Sequence, residues 1–458
     1  MTRRERQRRT LALLLAALVL IAAAIAAVLL WPQGGTAEKD KLFSFDPAKI
    51  ERFSVASSLG DTSFIRTDTG WVCREQPDFP LDGEYVNALL QAMTGIAAER
   101  RFTDGQTAEL DRGDVTVTVT AEAGEESYVF TAYRQNPQTL LYYASAGDGL
   151  CAVTNTAVEQ FLFRLYALAD LENPDILLPA DIVSLTVSLP DGSACELFYE
   201  ADGRPSIDYT GTATWFYRGG DGTLHPADSL AATEVLDAVQ SLSNEALATA
   251  NATPAQLEDY GLTDRCITVT LRYRKDDAEY TTVRRISTEQ SGDYVTAYTE
   301  GSRNVYFADR AQMATLLKKA TADLGRHEVL GIELAQVTGF TVRYGGRSCS
   351  YTLAVSGEDE QRTYTLRRGE ETVAATDFVA LFHSLAAIEP QAQAADAGGA
   401  ELFSIAFSTT NTAFGEVTLT VRQYDDSFYV STLAGDTPLL LNRRTVNALL
   451  SSVEKLVP

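Results

Sequence analysis

The sequence has 458 residues, 45% hydrophobic and 22% charged, with 62 acidic against 38 basic side chains and a net charge of -24. At the usual 100 to 200 residues per domain, that length gives about two to four folding units, and the composition excludes both a disordered chain and an integral membrane bundle. Five basic residues, Arg3, Arg4, Arg6, Arg8 and Arg9, sit in the first ten with only Glu5 beside them, so the remainder carries about -28. A body that acidic repels phosphate, and no nucleic-acid partner is expected.

In chain order, residues 1–10 read as a cytoplasmic basic tail. Leu11 to Leu30 is unbroken apolar sequence, which as a helix spans about 30 Å, one hydrocarbon core. Trp31 follows at interface depth and Pro32 ends the helix. Residues 11–31 therefore predict a transmembrane helix with the membrane as partner, and residues 32–41 a juxtamembrane linker. A cleaved signal peptide is the competing reading, but its apolar region is normally about 7 to 15 residues. The expectation is a single-pass cell-membrane protein, N-terminus cytoplasmic and C-terminal body extracytoplasmic.

Three segments of the body open alike, at Pro47 to Val55, Pro179 to Val187 and Leu334 to Val342. In each, a polar lead precedes alternating apolar residues: Ile50, Phe53, Val55; Ile182, Leu185, Val187; Val337, Phe340, Val342. Further strands follow around Trp71, Cys195 and Cys349. An amphipathic helix is then predicted over Gly83 to Ala98, Ala232 to Leu247 and Ala375 to Ile388, with Val86, Leu89, Leu90 and Met93 spaced for one buried face. Polar connectors come next, 103–114, 251–259 and 390–399. Alternating strands rich in Thr and Tyr lead to a closing helix capped by Asn155, Asp309 or Asn442. The order predicts an α+β chain of three tandem units, antiparallel sheets packed with helices, at 42–171, 172–325 and 326–458.

The motifs that carry chemistry are incomplete. Five cysteines, Cys73, Cys151, Cys195, Cys266 and Cys349, form no C-x-x-C pair and read as buried thiols. His327-Glu328 lacks the second histidine of a zinc helix, since Gly331 stands there. Gly219 to Gly222 lacks the Lys-Ser or Lys-Thr of a phosphate loop and reads as a hairpin turn, and Asp276-Asp277 and Asp425-Asp426 read as turns between strands. No catalytic residue, metal ligand or cofactor site is assigned. The candidate contacts to a partner or a glycan are Tyr142, Tyr143, Tyr294, Tyr298, Tyr306 and Tyr429, on strands in the second half of the units, where an exposed sheet face stacks on sugars and a covered one fills the core rim.

The lead Pro47 to Val55, Trp71, the helix opening at Asp82-Gly83, and above all Leu257-Glu258-Asp259-Tyr260-Gly261-Leu262 before a strand resemble the family known as domain of unknown function 4340. The resemblance implies repeated α+β units outside the membrane, a single anchor, and an association with ABC transporter subunits; it supplies no catalytic residues. Only the middle copy holds Tyr260-Gly261-Leu262. The function expected is a membrane-anchored extracytoplasmic binding or scaffold protein, an accessory of an ABC-type transport system. The alternative is a cell-surface polysaccharide-binding protein or a carboxylate-dependent hydrolase.

Overall fold

Alternation wins over helical periodicity along most of this chain. The computed structural model describes residues 40–103, 113–147, 149–357 and 361–458. Within them 41% of residues are strand and 21% helix, in four antiparallel sheets. The α+β expectation is corrected accordingly: the protein is mostly β, because its helices reach at most 13 residues among the described residues while single strands reach 14. A second correction concerns the anchor. No helix among the described residues is long and apolar enough to cross a membrane, and the segment 11–31 lies outside them. The single-pass, membrane-bound placement with an extracytoplasmic body is therefore unsupported and is set aside.

The chain divides into two compact units, Met1–Asp170 and Leu171–Pro458. In the first, eight strands lie in the order Gly70–Cys73, Gly60–Thr67, Arg52–Ser57, Val117–Ala123, Glu126–Gln135, Tyr142–Ala146, Gly149–Val153 and Arg100–Arg101. This is two meanders set back to back. Their shared central pair places Phe53 opposite Ala121 and Val55 opposite Val119. The second unit builds the same arrangement twice, each time with nine strands. Its central pairs are Ile182–Ser188 with Ile267–Lys275, where Leu185 faces Leu271, and Val337–Tyr344 with Glu401–Thr409, where Phe340 faces Phe407.

Seven α-helices are described: α1 (Gly83–Gly95), α2 (Thr156–Glu159), α3 (Ser229–Ser241), α4 (Pro254–Asp259), α5 (Arg310–Ala320), α6 (Thr376–Ala386) and α7 (Arg443–Lys455). α1, α3 and α6 follow the first meander of each sheet. α1 buries Val86, Leu89, Leu90 and Met93, the residues spaced for one face. α6 lays Phe378 flat on Phe340, ring centroids 3.7 Å apart. Each such side chain contributes about 1.5–3 kcal/mol by leaving water, so one helix stripe offsets much of the ordering cost of its own backbone.

The closing helices differ from the sequence expectation at one point. Asp309 and Asn442 cap α5 and α7, accepting from Ala311 N at 2.6 Å and Arg444 N at 2.9 Å. Asn155 does not cap α2: its Oδ1 accepts from Gln135 Nε2 at 3.0 Å, and the helix stops after four residues. The polar connector 251–259 also holds unexpected order, since α4 forms inside it. Thr253 Oγ1 accepts from Gln256 N while Gln256 Oε1 accepts from Thr253 N, a capping box with Pro254 at the first helical position. Most of the connector 103–114 lies outside the described residues.

Candidate functional site

The Leu257 to Leu262 motif is a helix C-terminus. Gly261 takes φ +68°, Gly261 N donates to Glu258 O at 2.9 Å and Leu262 N to Leu257 O at 2.9 Å, the paired bonds of a Schellman cap. Glycine is required twice over, because a Cβ there would also sit 2.9 Å from Ser287 Oγ. The cap aims Tyr260 at the second sheet: its hydroxyl lies 2.6 Å from Thr249 Oγ1, and Thr296 Oγ1 donates to its carbonyl at 3.1 Å. The motif therefore fastens a connector over a sheet and carries no reactive group.

Chemistry concentrates where the second sheet meets the third. The loop after strand Ala194–Tyr199 carries Asp208 and Tyr209 across to the third sheet, and Tyr209 is buried in the third sheet's core. Asp208 is fully buried and ion-paired with Arg326 at 2.8 Å. Its second oxygen accepts from Thr210 Oγ1 at 2.6 Å, Thr212 N at 2.8 Å and Ala213 N at 2.7 Å. Burial pushes the Asp208 carboxyl up, but these hydrogen bonds and the guanidinium together hold it below the usual carboxylate range. Asn411 Nδ2 donates to the carbonyls of Pro205 at 2.9 Å and Asp208 at 2.7 Å, and Gln336 Nε2 to Thr210 O at 3.0 Å. Arg326 also stacks over the Tyr209 ring, 5.2 Å from its centroid.

Beside this junction lies a cleft of about 270 Å³, lined by Tyr217, Asp221, His225, Arg326, Asp436 and Thr437 with several glycines. Asp221 closes the hairpin turn that the Gly219 to Gly222 stretch predicts, accepting from Thr223 N at 2.9 Å and Thr223 Oγ1 at 2.7 Å, with His225 Nε2 at 3.2 Å. The Thr223 hydroxyl and amide bring its carboxyl down to about 2. Asp436 moves the other way, raised by burial. Burial likewise raises the Tyr217 hydroxyl, with Asp323, Asp436 and Asp221 adding to the effect. Among the described residues no group of three or more His, Cys, Asp or Glu side chains converges to hold a metal ion.

The six tyrosines singled out from the sequence do not form one patch. Tyr142 and Tyr143 belong to the first unit, half-buried on opposite faces of one strand; the Tyr143 hydroxyl accepts from Asn136 Nδ2 at 2.9 Å. Tyr294 and Tyr298 share a face in the second sheet, Tyr294 exposed and beside Phe307, while Tyr306 lies opposite Ala297 on the other face and is buried. Tyr429, in the third sheet, is buried under Arg443 with its hydroxyl on Asn447 Oδ1 at 2.9 Å. Asp276 and Asp277 both take positive φ, 52° and 62°, in a tight hairpin turn, and Asp425 Oδ1 accepts from Ser427 N and Phe428 N across another. Sequence reasoning missed Asp208, Arg326 and Asp436. They are ordinary loop residues far apart in the chain, and nothing local in the sequence marks them.

No curated protein and no solved structure matches this chain. Residues 222–402, from the last strand of the second sheet's first meander to the opening of the third sheet's second meander, match a family model described as domain of unknown function (DUF4340). Over those residues the chain resembles the DUF4340 family.

Proposed function

We propose that this chain is a binding or scaffold protein, an accessory of an ABC-type transport system. The observation that carries the binding role is the junction in the second unit. Two nine-stranded sheets are joined through the buried Asp208 and Arg326 pair and the Asn411 amide, with a cleft at the seam. The transporter as partner class comes from the family resemblance alone. The test is crosslinking of the full-length chain at native expression, followed by identification of what co-purifies. Recovery of transporter ATPase and permease subunits supports the reading, and recovery of the chain alone overturns it.

A carboxylate-dependent hydrolase is the second reading. It is favoured by one observation: Asp221 and Asp436 line the same cleft with carboxyls shifted in opposite directions, the pattern of a base and an acid. Release of sugars from envelope polysaccharide by the purified chain, abolished in both Asp221→Asn and Asp436→Asn, is its signature. No release by the wild-type chain removes it.

A further inference from the structure

Residues 171–178 open the second unit without forming a helix or a strand. The chain is anchored just before them in the first unit, where Asp170 N donates to Pro80 O at 2.7 Å and Ala169 bridges to Leu81. It is anchored again at once in the second. Asn244, 4% exposed at the head of an edge strand, donates from Nδ2 to Leu171 O and from its backbone N to Asn173 Oδ1, both at 2.6 Å. Its own Oδ1 accepts from the buried Arg284 Nη2 at 2.6 Å, and Arg284 Nη1 donates to Leu242 O at the end of α3, so the guanidinium sets the direction in which the Asn244 amide points. Further along, Asn304 Nδ2 donates to Glu172 Oε1 at 2.7 Å and Lys275 pairs with Asp175 at 2.6 Å. The Gln240 amide clasps the backbone of Leu177, accepting from its N at 3.1 Å and donating to its O at 3.0 Å.

These contacts are made through side chains and no backbone ladder joins them. Of Ile176, Leu177 and Leu178 only Leu177 is buried; Ile176 is 86% exposed and Leu178 68%. Glu172 takes φ +47°, a left-handed conformation that is strained for any residue with a Cβ. The Lys275 and Asp175 pair is open to solvent and screened by salt. Little buried apolar area and no ladder mark a segment that opens at low free energy while the core stays folded. The sheet beneath is the reverse: strand Ile267–Lys275 is paired on both sides, with Val269 and Leu271 in the core.

We infer that residues 171–178 are a releasable strap. Clasped by Asn244, Asn304 and Gln240, they leave no slack between Asp170 and the second unit; released, they become a free tether of eight residues, which reaches about 26 Å. The strap opens as one piece, because its clasps share one short stretch of backbone. The inference does not depend on which partner the chain binds.

Hydrogen exchange of the full-length chain, read by mass spectrometry at single-amide resolution with and without low urea, tests it. The Leu177 amide is expected to exchange more slowly than in an unstructured peptide, yet at least a hundredfold faster than the amides of Val269 and Leu271. Its rate should stay flat as urea rises below the unfolding transition, since opening a strap exposes little surface. Glu172→Ala removes a clasp five residues away and is expected to speed exchange at Leu177 at least fivefold while Val269 and Leu271 keep their rates. Exchange of Leu177 in step with Val269 would make the strap part of the sheet's own folding unit, and exchange at the peptide rate would mean that it is never clasped; either overturns the inference. An unchanged Leu177 rate in Glu172→Ala, with Val269 still protected, overturns its opening as one piece. The wild-type comparison stands whether or not the variant folds.

Discussion

Arg326 donates to Asp208 across the seam of the second and third sheets at 2.8 Å, its side chain 14% exposed and that of Asp208 0%. Removing one member of such a pair leaves a buried charge uncompensated, at a cost of about 3–5 kcal/mol. Arg326→Met is therefore expected to lower the stability of the second unit by that amount in urea denaturation. A change within 1 kcal/mol, about the value of a surface pair, would show that the seam tolerates the loose carboxylate. The folded-state carboxyl of Asp208 is depressed, so its contribution is present above the unfolded value of about 3.9 and is lost as pH falls through the lower folded value. The deficit of the variant shrinks correspondingly in acid.

Asp436 has the opposite sign. Burial raises its carboxyl, with Asp208 adding, while Tyr209, Arg326 and His225 pull it back. A raised acid favours the folded state while protonated, so its contribution is present below about 3.9 and is lost as pH rises through the folded value. Asp436→Asn should melt higher than wild type at pH 8, and the two curves should converge near pH 4. A variant less stable at pH 8 would mean that the ionised carboxylate is held by contacts stronger than its burial.

Gly261 sits in the left-handed region at φ +68° with Ser287 Oγ 2.9 Å from where its Cβ would stand. Gly261→Ala is expected to cost about 1–2 kcal/mol from backbone strain, and Ser287→Ala in the same chain should recover only the steric share. Denaturant midpoints of the single and double variants measure both. An unchanged midpoint in Gly261→Ala would show that the connector opens without affecting the sheet beneath.

All five cysteines are free thiols, four of them buried and Cys349 half-buried. Burial pushes Cys151 and Cys195 up to about 11, far from the thiolate that reacts. In the native protein a small thiol reagent should modify Cys349 first and leave the other four protected until denaturant is added. Mass-spectrometric mapping decides this, and early labelling of Cys195 would show that the second sheet opens locally.

What the sequence made legible was local. The stripe Val86, Leu89, Leu90, Met93 has a helix period and is buried as one face, because a single helix needs only neighbouring residues to define it. Thr253-Pro254 with Gln256 is an equally local helix start, yet the reading of 251–259 as a polar connector missed it, because composition alone labels that stretch as loop. The balance of strand over helix was misjudged because each amphipathic stretch extends past the point where its helix stops: Asn244, inside the predicted second helix, begins a strand. Alternation along a strand separates Tyr294 from Tyr306 by face only once the register of the hairpin is known. The seam was invisible for a stronger reason. Asp208 belongs to one sheet and Arg326 to the lead into the next, and the docking of two finished sheets brings them together.

The back-to-back meanders also bear on how the chain is made. The founding strand of each sheet finds its central partner only after the whole first meander and a helix have followed: Val55 waits for Val119, Leu185 for Leu271 and Phe340 for Phe407. Ribosomes add about 5–20 residues each second, so every half-built sheet shows a bare apolar edge for several seconds. Such an edge accepts any strand of matching pattern, and this chain supplies three of nearly the same pattern in Arg52–Ser57, Ile182–Ser188 and Val337–Tyr344. Pairing between the wrong sheets is thus the characteristic hazard of its biosynthesis, and unit-by-unit completion from the N-terminus is the order of events that avoids it.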